Sequence, residues 1–373
     1  MTINFKRRRE RLQQVMLENE LDGYLIVDPV NVSYLTGFNG EDSYLWLGDS
    51  DALLLSDSRF TEQIKEESPD VDAAIRVSGQ TTYGLLKDAI GVGKYNSRVP
   101  KKVGIESSST TLALYVKLCE TFSELEFVTR SNDVEKLREI KDAWEISAIR
   151  IAIDISIAAY RETRRIICHD ATEVDFRDEL AYRMRKCGGD DVSFPSIVAY
   201  DARTALPHAI PSRGVRLSDA NMVLVDWGAK RDYYVGDLTR TYLTERGLGA
   251  SSAEYRRKFT ELFKIVLEAH DAAIAAIKPG AVCKEIDAIA RDIIKSSGYG
   301  EYFGHGLGHG IGRVVHDSGG FSPNASSTLQ ANMIMTVEPG IYLPGWGGIR
   351  IEDDVLVTPT GSEVLSSQLP VDE

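Results

Sequence analysis

Apolar residues recur at helical spacing near the start of the chain, where Leu12, Val15 and Met16 fall on one side of a segment over residues 7–20. From there to about residue 130, short apolar runs alternate with amphipathic ones. The pattern predicts strands over residues 24–27, 51–55 and 125–129, and helices over 60–67 and 110–121. Such alternation points to a compact α/β unit. The basic run Arg7, Arg8, Arg9 and Arg11 sits on the first helix and reads as a solvated face. The polar stretch 130–141 marks the expected boundary, giving domains over residues 1–130 and 131–373.

Past that boundary the pattern repeats. Residues 171–188 align with 281–298 at an offset of 110, and each copy follows a long Ala- and Ile-rich helical stretch, 144–168 and 253–278. Thr172 with Asp175 three positions on is a capping-box signature. The repeat predicts a C-terminal domain of two related halves, helices outside and strands inside, with a site between them.

Composition narrows the function classes. The chain has 373 residues with 43 basic and 56 acidic side chains, a net charge of −13. It lacks the basic footprint that nucleic acid requires. Cys119, Cys168, Cys187 and Cys283 are scattered without a CxxC pair, as expected of reduced thiols. No signal-peptide core stands at the start and no apolar run approaches the roughly 18 residues of a membrane helix. These features predict a soluble cytoplasmic protein.

Chemistry enters where apolar strands end in acids. "MVLVD" ends in Asp226, "MIMTVE" in Glu338 and "GIRIE" in Glu352, and Asp237 follows in "VGDLTRTYL". A hairpin turning symmetrically about Arg231 and Asp232 would set Asp226 opposite Asp237. Carboxylates on buried strands are costly unless a cation compensates. The loop "FGHGLGHGIGRVVH", residues 303–316, supplies imidazoles. Its glycines fit neither a dinucleotide fingerprint nor a P-loop, and Gly306 stands where a HExxH helix needs Glu. Four carboxylates and one imidazole match two divalent ions, Mn(II) better than Zn(II) or Fe(II). A metal pair about 3.5–4 Å apart is machinery for hydrolysis.

The segments "VLVDWGAKRDYYVGDLTRT", "GHGLGHGIGRVVHD", "MTVEPGIYLPGWGGIRIED" and "TPTG" resemble the pita-bread metallopeptidases, within them the Xaa-Pro peptidases, aminopeptidase P and prolidase. The resemblance implies an α/β N-terminal domain followed by an α+β pita-bread domain with pseudo-twofold halves. It implies that Asp226, Asp237, His309, Glu338 and Glu352 hold two divalent metal ions, Mn(II) foremost, with Co(II), Zn(II) and Fe(II) as alternatives. Asp237 and Glu352 would bridge the ions, and Glu338 would also accept the proton of the attacking water. His208 would lie near the substrate, and His305 and His316 would help bind it and stabilise the tetrahedral intermediate. Arg350 would back the ligands or bind substrate. The implied substrate is a proline-containing peptide and the implied assembly a homodimer.

Prolidases known to us hold a dipeptide's carboxylate with an arginine beyond the last loop histidine. Residues 317–332 contain neither Arg nor Lys. That favours an aminopeptidase acting on longer peptides, with prolidase as the alternative. Methionine aminopeptidases share the ligands but usually lack such a preceding α/β domain, and non-catalytic relatives typically lose ligands. Asn332 stands where the family usually has glycine.

Overall fold

Leu12 and Met16 bury one face of α1 (Phe5–Glu18), which opens on Asn4, whose side chain accepts from the Arg7 amide. In the computed structural model, which describes residues 3–90 and 93–371, the N-terminal unit spans Met1–Leu137. It continues through β1 (Gly23–Ile26), α2 (Pro29–Thr36), β2 (Tyr44–Gly48), β3 (Ala52–Asp57), α3 (Thr61–Glu67), β4 (Asp72–Arg76) and α4 (Thr82–Ala89). β5 (Lys102–Glu106), α5 (Leu112–Thr121), β6 (Glu126–Arg130) and α6 (Asp133–Glu139) follow. The strands form one mixed sheet in the order β4-β3-β2-β1-β5-β6. The sequence pattern omits α2, because it is buried on most of its faces and shows no periodicity.

The basic run needs correcting. Arg7 and Arg11 are exposed, but Arg8 and Arg9 are buried. Arg8 donates to the Tyr34 carbonyl at 3.1 Å and lies 4.2 Å over the Tyr34 ring. Arg9 donates to the Leu35 carbonyl at 2.9 Å and pairs with Asp70 at 3.1 Å. The last carbonyls of α2 lack helical partners, and these guanidinium groups satisfy them.

The second unit spans Arg138–Glu373. Its first half holds α7 (Ala143–Ile166), α8 (Glu173–Lys186), β7 (Asp191–Val192), β8 (Ile197–Tyr200), β9 (Met222–Trp227), β10 (Ala229–Arg231), β11 (Tyr234–Val235) and β12 (Leu238–Leu243). A short α9 (Glu245–Leu248) leads into α10 (Ala253–Ala276) and α11 (Cys283–Ser296). Then come β13 (Gly308–Gly310), β14 (Asp317–Phe321), β15 (Ile334–Val337), β16 (Gly340–Leu343), β17 (Gly347–Arg350), β18 (Asp353–Val357) and β19 (Ser362–Val364). The helix pairs repeat at the offset read from the sequence: 24 and 14 residues in each copy. Asp142 and Thr172 cap α7 and α8 with capping boxes. Gly188 and Gly298, at equivalent places after the second helix of each pair, both have positive φ.

Each half has its own core. α7 and α8 pack Ile149, Ile153, Phe176 and Leu180 against Val223, Val225 and Leu238. α10 and α11 pack Leu262, Val266, Ile286 and Ala290 against Val337, Ile349 and Val355. The strands lie in sheets β12-β9-β8, β11-β10-β7, β14-β13-β15-β18-β19 and β16-β17, the first and third joined where Thr239 bridges Glu352. Arg240, fully buried, strengthens that seam by donating to the Glu352 carbonyl at 2.7 Å and the Asp353 carboxylate at 2.8 Å.

Candidate metal centre

The β9–β12 hairpin places the first two acids, with a register that differs from the sequence expectation. Asp226 pairs with Thr239, and Lys230 pairs with Val235. The turn therefore centres on Asp232 and Tyr233, both with positive φ (48° and 70°). Two left-handed central residues are what a tight hairpin of this twist requires. Asp226 and Asp237 consequently sit diagonally across the ladder rather than opposite. Both still point to one face, because they belong to the same alternating set.

The second half supplies the rest. β13 carries His309 between Gly308 and Gly310, and both glycines are required. A Cβ on Gly308 would lie 2.0 Å from the Thr336 carbonyl oxygen, and one on Gly310 would lie 2.0 Å from that of Ser318. Neighbouring backbone thus presses on both sides of the histidine. The His309 amide donates to Thr336 at 3.0 Å, and its Nδ1 lies 3.1 Å from the Gly310 carbonyl. That contact leaves Nε2 aimed at acids, 3.7 Å from Asp237 Oδ2 and 3.5 Å from Glu338 Oε1. Ligand atoms of Asp237, His309 and Glu352 lie within 4.8 Å of one another. Glu338 follows β15, and its amide donates to the Leu307 carbonyl at 2.8 Å.

Arg350 is buried at the centre of a polar network. It donates to Asp226 at 2.6 Å, to the Thr239 hydroxyl at 3.0 Å and to the Tyr342 hydroxyl at 3.0 Å. Tyr342 also lies 2.9 Å from His305 Nε2. The Thr239 hydroxyl donates to Glu352 at 2.6 Å, and Asp354 accepts from the Asp237 amide at 3.0 Å. The sequence reading missed Thr239, Tyr342 and Asp354. Thr239 lies two residues after Asp237, and Tyr342 four after Glu338, but no spacing rule marks either as part of the site.

Electrostatics set this cluster apart from an ordinary ion-pair network. Burial, followed by the charge of Asp226, pushes Glu352 up to about 8. Burial and the Glu352 charge raise Asp237 and Glu338 well above the usual carboxylate range. Burial also raises Asp226, although Arg350 opposes it. Burial lowers His305 and His309 to about 4. Asp226 Oδ1 and Asp237 Oδ1 are buried with no hydrogen-bond partner among the described residues. Orphaned carboxylate oxygens beside a neutral imidazole fit a divalent cation.

These side chains open onto one cavity of about 1540 Å³. Asp226, Asp237, His309, Glu338 and Glu352 line it, as do His208, His305, His316 and Arg350. His208 and His316 are exposed, and the His316 ring meets the His309 ring edge-on at 4.5 Å. All the residues expected to form the site thus face one space.

Residues 147–359, more than half of the chain, match the model of metallopeptidase family M24, and residues 8–140 match the creatinase/prolidase N-terminal domain. This chain belongs to family M24. Among its relatives, the Xaa-Pro dipeptidase of Pyrococcus furiosus is 34% identical, over 97% of this chain and 98% of that protein. The solved Xaa-Pro dipeptidase from Bacillus anthracis superposes with a TM-score of 0.89 at 34% identity, covering 99% of both chains. The X-Pro aminopeptidase from Thermotoga maritima superposes with a TM-score of 0.85 at 35% identity, covering 97% of this chain and 99% of that one. As an M24 member the protein is a metallopeptidase, a hydrolase dependent on divalent metal. Its architecture is the α/β domain followed by the pita-bread domain that the motifs implied. No helix among the described residues is long and apolar enough to cross a membrane.

Proposed function

We propose that this M24 enzyme is an Xaa-Pro exopeptidase that removes an N-terminal residue standing ahead of proline, with two divalent ions held by Asp226, Asp237, His309, Glu338 and Glu352. One observation carries the reading: Asp237, with an orphaned buried oxygen, gathers with Glu338 and Glu352 about the neutral imidazole of His309, on the wall of a cavity that Asp226 also lines. Mn(II) suits a donor set rich in oxygen with a single nitrogen. Ions bound there polarise the scissile carbonyl and lower the pKa of water. The chain's own groups do the remaining work. Glu338, half-buried at the cavity, takes the proton of the attacking water. The substrate amine lies beside Asp226. His208, His305 and His316 bind the peptide and the tetrahedral intermediate, and Arg350 holds Asp226 in place. An Xaa-Pro bond has no N–H, and none of these roles requires one.

For peptide length we favour an aminopeptidase that accepts more than dipeptides. The segment 317–332 offers no cation. Arg350, the cation packed against the candidate ligands, is committed to Asp226 and Tyr342. A dipeptidase reading draws its support from the names of the Pyrococcus furiosus and Bacillus anthracis relatives. The test incubates Mn(II)-loaded protein with Ala-Pro and Ala-Pro-Ala, with and without chelator. Alanine release from the tripeptide that chelator abolishes is expected. Release from neither peptide sinks the reading, and a strong preference for Ala-Pro reverses the choice of length. The Asp237→Asn protein should carry less metal than the native protein, and equal metal content would remove Asp237 from the ligand set.

A further inference from the structure

The cavity has a charge asymmetry that the proposed chemistry does not use. Apart from the candidate ligands, its charged lining consists of Arg177, Lys230, Arg313 and Arg350 against the single acid Glu301. Outside the candidate ligands, cations thus outnumber acids in the lining, in a chain of net charge −13. Three of these cations are engaged. Arg350 holds Asp226 at 2.6 Å, Arg177 donates to Asp178 at 2.8 Å, and Arg313 stacks 5.1 Å over the Tyr233 ring. Lys230 is different. It lines the cavity half-buried, and its ammonium has no acid or hydrogen-bond partner among the described residues.

The hairpin register says which part of a substrate Lys230 meets. Lys230 pairs with Val235, another lining residue, at the same register as Trp227–Leu238 and Asp226–Thr239, although the two ladders lie in separate sheets with Gly228, Gly236 and Asp237 between them. Asp226, Lys230, Val235 and Asp237 all line the cavity, so this stretch of the hairpin turns one side toward it. Asp226 and Lys230 are four residues apart, about 13 Å of extended strand. Extended lysine and glutamate side chains can share that span. On the proposed reading the substrate amine lies at Asp226, and the scissile bond runs away from this hairpin toward Glu338 and His305. The group of the peptide nearest Lys230 is then the side chain of the first residue.

We propose that Lys230 selects peptides whose first residue carries a carboxylate, aspartate or glutamate. The ammonium pairs with that side chain while the amine stays at Asp226. This rests on the Xaa-Pro reading above, and the experiment separates the two. It compares kcat/KM for Glu-Pro-Ala and the isosteric Gln-Pro-Ala, using Mn(II)-loaded native and K230M proteins, with C-terminally amidated copies of both peptides. A charge-assisted hydrogen bond corresponds to a Glu:Gln ratio of roughly ten-fold in the native protein. The ratio should fall to near one in K230M and should reverse in favour of Lys-Pro-Ala in K230E. Because the readout is a ratio, any general loss of activity cancels. Calorimetric titration of Glu-Ala and Gln-Ala should show the same ratio in affinity, without relying on Xaa-Pro turnover. Calorimetric selectivity without any Xaa-Pro cleavage would uphold the role of Lys230 and sink the Xaa-Pro reading. Equal handling of Glu and Gln by the native protein, or a ratio that survives K230M, overturns the inference. So does a K230M effect that depends on a free C-terminus, because Lys230 would then be reading the far end of the peptide.

Discussion

The hydroxyl of Thr239 touches both a candidate ligand and the arginine that neutralises another, donating to Glu352 at 2.6 Å and accepting from Arg350 Nε at 3.0 Å. Groups that only orient a metal ligand are commonly worth 10–100-fold in affinity. Thr239→Val keeps the shape and removes both bonds, so Mn(II) affinity should fall by about that factor in a competition titration. An unchanged affinity would show that Glu352 is positioned by its backbone alone. The titration of the cluster gives a second prediction. Glu352 reaches about 8 in the folded protein against an ordinary 4.5, so the chelated fold holds a proton that the unfolded chain has released. Stability from that group is full below about 4.5 and is lost as pH rises toward 8. His305 and His309, lowered to about 4, act in the opposite direction, but only between about 4 and 6.5. Between pH 6.5 and 8 these histidines no longer oppose the carboxylates. Chelated protein should therefore lose Tm by more than about 2 °C across that window, as measured by calorimetry. A Tm that rises there would mean the acids are already ionised.

The strands were the most legible elements. Met222 to Asp226 reads as an apolar run closed by an acid, and it forms β9 with its acid on the cavity wall. The hairpin register was not legible. Asp232 and Tyr233 both take positive φ without glycine, so the sequence gives no sign that the turn centres on them. Nor did the charge run on α1 disclose that Arg8 and Arg9 serve carbonyls of a helix more than twenty residues away, because solvated and capping arginines look alike in one dimension. The glycines of the histidine loop read as places where neighbouring backbone comes close, although which backbone was not legible. Their use is lateral clearance, and that can be tested at Gly308. Gly308→Ala forces a methyl to within 2.0 Å of the Thr336 carbonyl unless β13 and β15 separate. Overpacking of this kind typically costs about 1–3 kcal/mol. Tm should drop, and Mn(II) affinity should drop with it because β13 carries His309. A fall in Tm with metal binding intact would show that the strand yields elsewhere.

Across the catalytic unit, the repeated helix pairs put a separate apolar core behind each half, and the candidate ligands divide between them. Asp226 and Asp237 belong to the first half, on or beside strands backed by α7 and α8. His309, Glu338 and Glu352 belong to the second, backed by α10 and α11. Without a cation, the halves meet through acids that must hold protons or repel, restrained by the Thr239–Glu352 bridge and the buried bonds of Arg240 and Arg350. On the proposed ligand set, cations bound by acids from both sides would remove that conflict and cross-link the two cores. Binding to the folded state alone adds about 2.7 kcal/mol at a hundred-fold excess over Kd. That stabilisation should appear at the seam and in both halves, not only around His309. Hydrogen exchange of the full chain, with Mn(II) and with chelator, should therefore show amides of β9, β12 and β18 slowing together on metal addition. Slowing confined to β13 and β15 would mean the metal belongs to the second half alone, and Asp226 and Asp237 would need another explanation for their orphaned oxygens.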